Sequence, residues 1–152
     1  MTIRLASIED HAALAGIFLS VRRSTFVWED PASFQLDDFA SATEGELIHV
    51  AETAENGIVG FISLWEPEQF VHHLFIANGH RGKGIGRALL DDLARRQPGP
   101  FRLKCVAGNS VALSFYKRSG WAQIGEGETD GRPYLLMELS KTDESTLSSP
   151  ST

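Results

Sequence analysis

The stretch from residue 71 to 96 constrains the fold more than any other part of the chain. Residues 71–76 (Val-His-His-Leu-Phe-Ile) read as a strand, and residues 78–86 (Asn-Gly-His-Arg-Gly-Lys-Gly-Ile-Gly) read as a loop. Ile85, Leu89, Leu90, Leu93 and Ala94 then repeat at helical spacing. A strand therefore enters a glycine loop that opens into a helix. Without a Cβ at Gly82, Gly84 and Gly86, the loop can turn its amide N–H groups into one concavity. The unpaired N–H groups and the positive dipole end of the helix face the same way. Arg81, Lys83 and Arg87 add mobile positive charge, and the whole pattern predicts a pyrophosphate-bearing ligand.

Two common phosphate motifs do not fit. A P-loop needs a hydroxyl residue after its lysine, but Lys83 is followed by Gly84, and Ala77 stands where the first glycine belongs. A dinucleotide fingerprint would place its third glycine at Arg87. The run 81–86 instead resembles the acyl-CoA-binding signature of the GCN5-related N-acetyltransferase (GNAT) superfamily. A second block supports the resemblance: a strand at 101–106, then Asn109, Ala112, Phe115, Tyr116 and Gly120 followed by Trp121, with a short helix ended by glycine. Together the two blocks are similar to the two coenzyme-binding segments of that superfamily, and the likeness extends from about residue 2 to 140.

Composition sets bounds. A chain of 152 residues with 42% apolar content is sized for one globular domain, here residues 1–140, with a Ser- and Thr-rich tail at 141–152 expected to be disordered. The net charge of −6 argues against nucleic acid or an anionic membrane as the main partner. A single cysteine, Cys105, excludes an internal disulfide and any multi-cysteine metal site, which suits the reducing cytoplasm. The sequence shows no signal-peptide pattern and no apolar run of membrane-spanning length.

Along the chain, residues 2–6 read as a strand, and Ser7 with Asp10 as a capping box for a helix reaching Arg22-Arg23. A second helix is expected from Pro31 through Phe34, Leu36 and Phe39. Two strands flank Asn56-Gly57 as a hairpin, and a closing hairpin turns at residues 128–131. The pattern is α/β in a single domain. The resemblance implies a mixed seven-stranded sheet, flanked by about four helices and splayed between the strands at 71–76 and 101–106, with the pantetheine arm in the gap.

It also implies the chemistry: acetyl transfer from acetyl-CoA, without a metal, to the primary amine of a small molecule. On that comparison the backbone of Leu74, Phe75 and Ile76, the loop Arg81, Gly82, Lys83, Gly84, Ile85, Gly86 and Arg87, and the side chains of Asn109 and Tyr116 hold the coenzyme. Tyr116 matches the usual general acid, with a half-buried core tyrosine as the other reading, and Asn109 equally reads as a helix cap.

His72 falls where some aralkylamine acetyltransferases carry a histidine, and it is the expected proton acceptor, with Glu66 or Glu52 as second choices. Strand alternation places His72 and His73 on opposite faces, so that they cannot share a metal ion. Phe26, Trp28, Glu66, His73 and Tyr134 are the candidate acceptor contacts, and Arg22 and Arg23 offer a site for an acceptor carboxylate. A protein N-terminal or lysine acetyltransferase and a non-catalytic acyl-CoA-binding module are the alternatives. Dimerisation through the last strand is compatible with the sequence.

Overall fold

The computed structural model describes residues 1–26 and 29–140. The expectations for Trp28 and for the tail at 141–152 lie outside the described residues. Seven strands form one sheet: β1 (Thr2–Leu5), β2 (Leu47–Thr53), β3 (Gly57–Trp65), β4 (Phe70–Ile76), β5 (Phe101–Val106), β6 (Ala122–Thr129) and β7 (Arg132–Leu139). Among the described residues four α-helices accompany them: α1 (His11–Thr25), α2 (Asp38–Ala42), α3 (Ile85–Arg96) and α4 (Ser110–Arg118). The spatial order is β1-β2-β3-β4-β5-β7-β6, antiparallel throughout except where β4 meets β5. This is the mixed seven-stranded sheet expected from the sequence. No helix among the described residues is long and apolar enough to cross a membrane.

β3, third in the spatial order, is buried on both faces, which is why its sequence, Ile-Val-Gly-Phe-Ile-Ser-Leu, hardly alternates. On one face Val59, Ile62 and Leu64 pack with Leu89 and Leu93 of α3 and with Phe101 and Leu103 of β5. On the other, Phe61 and Val50 pack with Leu14 and Phe18 of α1 and with Phe39 of α2. The Asp130-Gly131 turn between β6 and β7 has positive φ at both positions, 51° and 79°, as a two-residue hairpin turn demands.

One helix differs from the sequence expectation. In place of a helix from Pro31 onward there is a single 3-10 turn, Pro31–Ser33, then extended backbone at Phe34 and the five-residue α2. Tertiary hydrogen bonds override the local periodicity. Arg23 donates to the carbonyls of Pro31 and Phe34 at 3.0 and 2.9 Å, and the Asp38 carboxylate accepts from Gln35 N–H and from Arg22. The capping box forms as expected, with Ser7 N–H donating to Asp10 at 2.7 Å, but a 3-10 turn at Ile8–Asp10 precedes α1.

Candidate active site

β4 and β5 are paired at one position, Phe70 opposite Arg102, near the start of both strands. Beyond it they diverge, and the gap becomes a cleft of about 910 Å³. Residues His72 to Ile76 of β4 form one side and Lys104 to Val106 of β5 the other. The glycine loop closes one end, α4 supplies Asn109, Ala112, Phe115 and Tyr116, and α1 contributes Phe18, Val21, Arg22 and Thr25. The sequence expectation of a splay between these two strands describes this geometry.

The loop works through its backbone. Gly79, Gly82 and Gly84 have φ of 89°, 77° and 81°, a region that other residues enter only with strain. Gly84 immediately precedes α3, and its carbonyl accepts from Ala88 N–H at 3.0 Å. A Cβ on Gly82 or Gly84 would meet nothing within 4 Å, so the loop faces open space. Arg81 lines the cleft and reaches back to Thr25 Oγ1 at 3.2 Å. Arg87 lines it too, paired with Asp91 at 3.1 Å. Lys83 is exposed and is not part of the cleft wall.

Strand geometry also aims backbone donors into the gap. Ala77 N–H donates to Val59 O on β3 at 2.8 Å. Because N–H groups alternate along a strand, Phe75 faces β3 as well, while Leu74 and Ile76 turn theirs toward the gap, where β5 has moved away.

Tyr116 is half-buried, its ring edge-on to Phe115 and Trp121 at 5.3 and 5.7 Å between centroids. Burial, and secondarily the Cys105 thiol, push its hydroxyl well above the usual tyrosine range, so it stays protonated at neutral pH. Cys105 is itself buried, and burial pushes its thiol up. Asn109 accepts from Ala112 N–H at 3.1 Å and caps α4 while lining the cleft. Cap and cleft position coexist at this residue.

The two histidines are the main correction. Opposite Ser63 and Leu64 of β3 stand His73 and Val71, leaving His72 without a partner. This is a β-bulge, and it breaks the alternation that would have sent the two rings to opposite faces. Their centroids are 5.1 Å apart, and both rings address one carboxylate, Glu46. His72 Nδ1 is hydrogen-bonded to Glu46 Oε2; His73 Nδ1 is 3.8 Å from Oε1 and 3.0 Å from Ser63 Oγ. The ligating atoms of Glu46, His72 and His73 lie within 4.8 Å of one another, so these side chains are close enough to address a single ion. Burial alone would raise the Glu46 carboxyl, but His73, His72 and Ser63 around it outweigh burial and hold it below its ordinary value.

Other candidates separate. Phe26 and His73 line the cleft. Glu66 does not: it sits in the 3-10 turn before β4, bonded to Gln97 at 3.1 Å, and Glu52 is paired with Arg4 on β1. Tyr134 lies one side chain back, its ring 4.7 Å from Lys104 Nζ. Arg22 lines the cleft against the rings of Phe18 and Phe34 while pairing with Asp38 at 3.0 Å, and Arg23 is spent on backbone carbonyls.

A splayed β4–β5 pair with a positive-φ glycine loop at its mouth also describes a known family, and a family model for the acetyltransferase (GNAT) domain matches residues 25–141. The chain belongs to the GNAT acetyltransferase family. Among GNAT relatives, it is 35% identical over 92 residues to the peptidyl-lysine N-acetyltransferase YjaB of Salmonella typhimurium, a segment covering 59% of this chain and 61% of that protein. The match thus spans less than two thirds of that relative's length. It is 28% identical over 149 residues to the L-methionine sulfoximine/L-methionine sulfone acetyltransferase of Pseudomonas paraeruginosa, covering 88% of this chain and 87% of that one. The solved apo form of Escherichia coli YjaB superposes with a TM-score of 0.75 at 25% identity, over 90% of this chain and 95% of that one.

Glu46 is the residue that sequence reasoning missed in this GNAT domain. It precedes β2 and lies 26 positions from His72, and nothing in its neighbourhood marks it. The registers of β2 on β3 and of β3 on β4 together bring the two side by side.

Proposed function

We propose that the chain transfers an acetyl group from acetyl-CoA to the primary amine of a small molecule by direct attack. The observation that carries this reading is that His72 and Tyr116, a proton acceptor and a proton donor, line the same cleft from β4 and α4. The amine nitrogen attacks the thioester carbonyl carbon and the C–S bond breaks. The proton lost by the amine goes to His72, and the departing thiolate takes a proton from the Tyr116 hydroxyl. The N–H groups of Leu74 and Ile76 turn toward the gap and suit the developing oxyanion. Loop amides from Arg81 to Arg87 and the start of α3 suit the coenzyme pyrophosphate.

A small acceptor is favoured by the aromatic wall of Phe18 and Phe26 beside Arg22, which narrows the acceptor side, and by the likeness to an amino-acid analogue acetyltransferase. Arg22 pairs with Asp38 through Nη1, and its remaining guanidinium N–H groups suit an acceptor that carries a carboxylate as well as an amine. The likeness to a peptidyl-lysine acetyltransferase supports the second reading, a lysine side chain as acceptor. An acetyl-enzyme on Cys105 is disfavoured, because a buried thiol with a raised pKa is a poor nucleophile. Initial velocities measured against both substrates test direct transfer: intersecting double-reciprocal lines are expected, and parallel lines with an acetylated protein intermediate by mass spectrometry would contradict it.

A further inference from the structure

The bulge on β4 does more than change the direction of a side chain. It places the imidazole of His72 against a carboxylate whose side chain is only 3% exposed, while the His72 ring is 50% exposed on the cleft side. The second carboxylate oxygen, Oε1, is buried and has no hydrogen-bond partner among the described residues. A buried carboxylate with so little solvation gains from a neighbouring N–H donor, and His72 Nδ1 is in position to be that donor. With Nδ1 carrying the proton, Nε2 is left as a lone-pair acceptor. His73 is held separately, its Nδ1 bonded to Ser63 Oγ and its ring edge-on to Phe18 and Phe75 at 5.1 and 5.6 Å.

We propose that Glu46 is a positioning residue for acetyl transfer: its buried carboxylate fixes His72 in the Nδ1–H tautomer and leaves Nε2 to take the proton of the acceptor amine. This rests on the reading of His72 as proton acceptor and names the group that makes it one. The carboxylate also stabilises the imidazolium that forms when Nε2 accepts the proton, so its contribution is larger after proton transfer than before. The bond to Ser63 Oγ keeps the second imidazole, that of His73, out of competition for that role.

The tautomer is measured directly by long-range 1H–15N correlation of ring nitrogens in the intact protein, which does not depend on activity. His72 is expected to show a protonated Nδ1 and an unprotonated Nε2. In Glu46→Ala the ring should shift toward the Nε2–H form, and kcat should fall about tenfold to a hundredfold with the KM for acetyl-CoA unchanged. Glu46→Gln keeps the shape and an acceptor oxygen, so it should retain the tautomer and recover part of kcat; it also serves if the alanine variant does not fold. An Nε2–H tautomer in the wild type would overturn the proposal. So would full kcat in both Glu46 variants while His72→Ala is impaired, or activity removed by a chelator and restored by zinc. If His72→Ala is fully active, the proton-acceptor reading itself fails, and Glu46 loses its role with it.

Discussion

Gly86 and Phe115 join the two segments proposed to hold the coenzyme: a Cβ on Gly86 would stand 3.2 Å from Phe115 Cζ. The second residue of α3 is therefore in contact with the ring beside Tyr116, and the loop and α4 are one packed unit. Gly86→Val should displace Phe115 and with it Tyr116, at a cost of about 1–3 kcal/mol from overpacking. Acetyl-CoA affinity by calorimetry should fall, and adding Phe115→Leu should restore part of it. A double variant no better than Gly86→Val alone would show that this contact does not couple the segments.

Gly84 is needed for its backbone rather than for room. Its φ is 81° and the space beside it is open. Strain of about 1–2 kcal/mol for a residue with a Cβ corresponds to roughly a tenfold loss of coenzyme affinity in Gly84→Val. Gly84→Asn should lose less, since asparagine enters the left-handed region more readily. Equal losses would instead assign the effect to a clash with the bound coenzyme.

Tyr116→Phe removes the hydroxyl proposed as proton donor and little packing. kcat should fall by about a hundredfold or more while the KM for acetyl-CoA stays near the wild-type value. An unchanged kcat would return Tyr116 to a packing role beside Trp121.

The start of α1 should respond to acid. Arg4 donates to both oxygens of Asp10, at 2.8 and 3.0 Å, and Ser7 N–H adds a third bond. The Arg4 hydrogen bonds, and then that of Ser7, hold the Asp10 carboxyl far below its ordinary value. A folded-state pKa below the unfolded value of about 3.9 stabilises the fold above that pH and loses its effect as pH falls through the acid range. Asp10→Asn should therefore cost about 1 kcal/mol at neutral pH, or about 2–4 °C in Tm. The gap to wild type should narrow progressively as pH falls below about 4, and a gap independent of pH would contradict the assignment.

What the sequence made legible were features written in residue type. Of the loop glycines read at 82, 84 and 86, the first two have positive φ and the third is the second residue of α3, and the stripe of Leu89 and Leu93 announced a buried helix face. The β4–β5 splay followed from resemblance to a known pattern. The bulge at His72 was not legible, because no glycine or proline marks it and it arises from the register of β3 on β4. Glu46 was hidden because two registers, β2 on β3 and β3 on β4, must combine to carry it to His72. The apolar spacing of Phe34, Leu36 and Phe39 pointed to a long second helix, but Arg22 and Arg23 of α1 draw that segment into other hydrogen bonds.

The central claim is acetyl transfer to a small amine in this cleft, and it is tested most directly by release of free coenzyme A thiol from acetyl-CoA, with wild type and His72→Ala run against amino acids, polyamines, arylalkylamines and lysine peptides. The account predicts release with at least one small primary amine, strongest for one that also bears a carboxylate, and loss of that release in His72→Ala. Release with lysine peptides alone, or none with any acceptor, would contradict it.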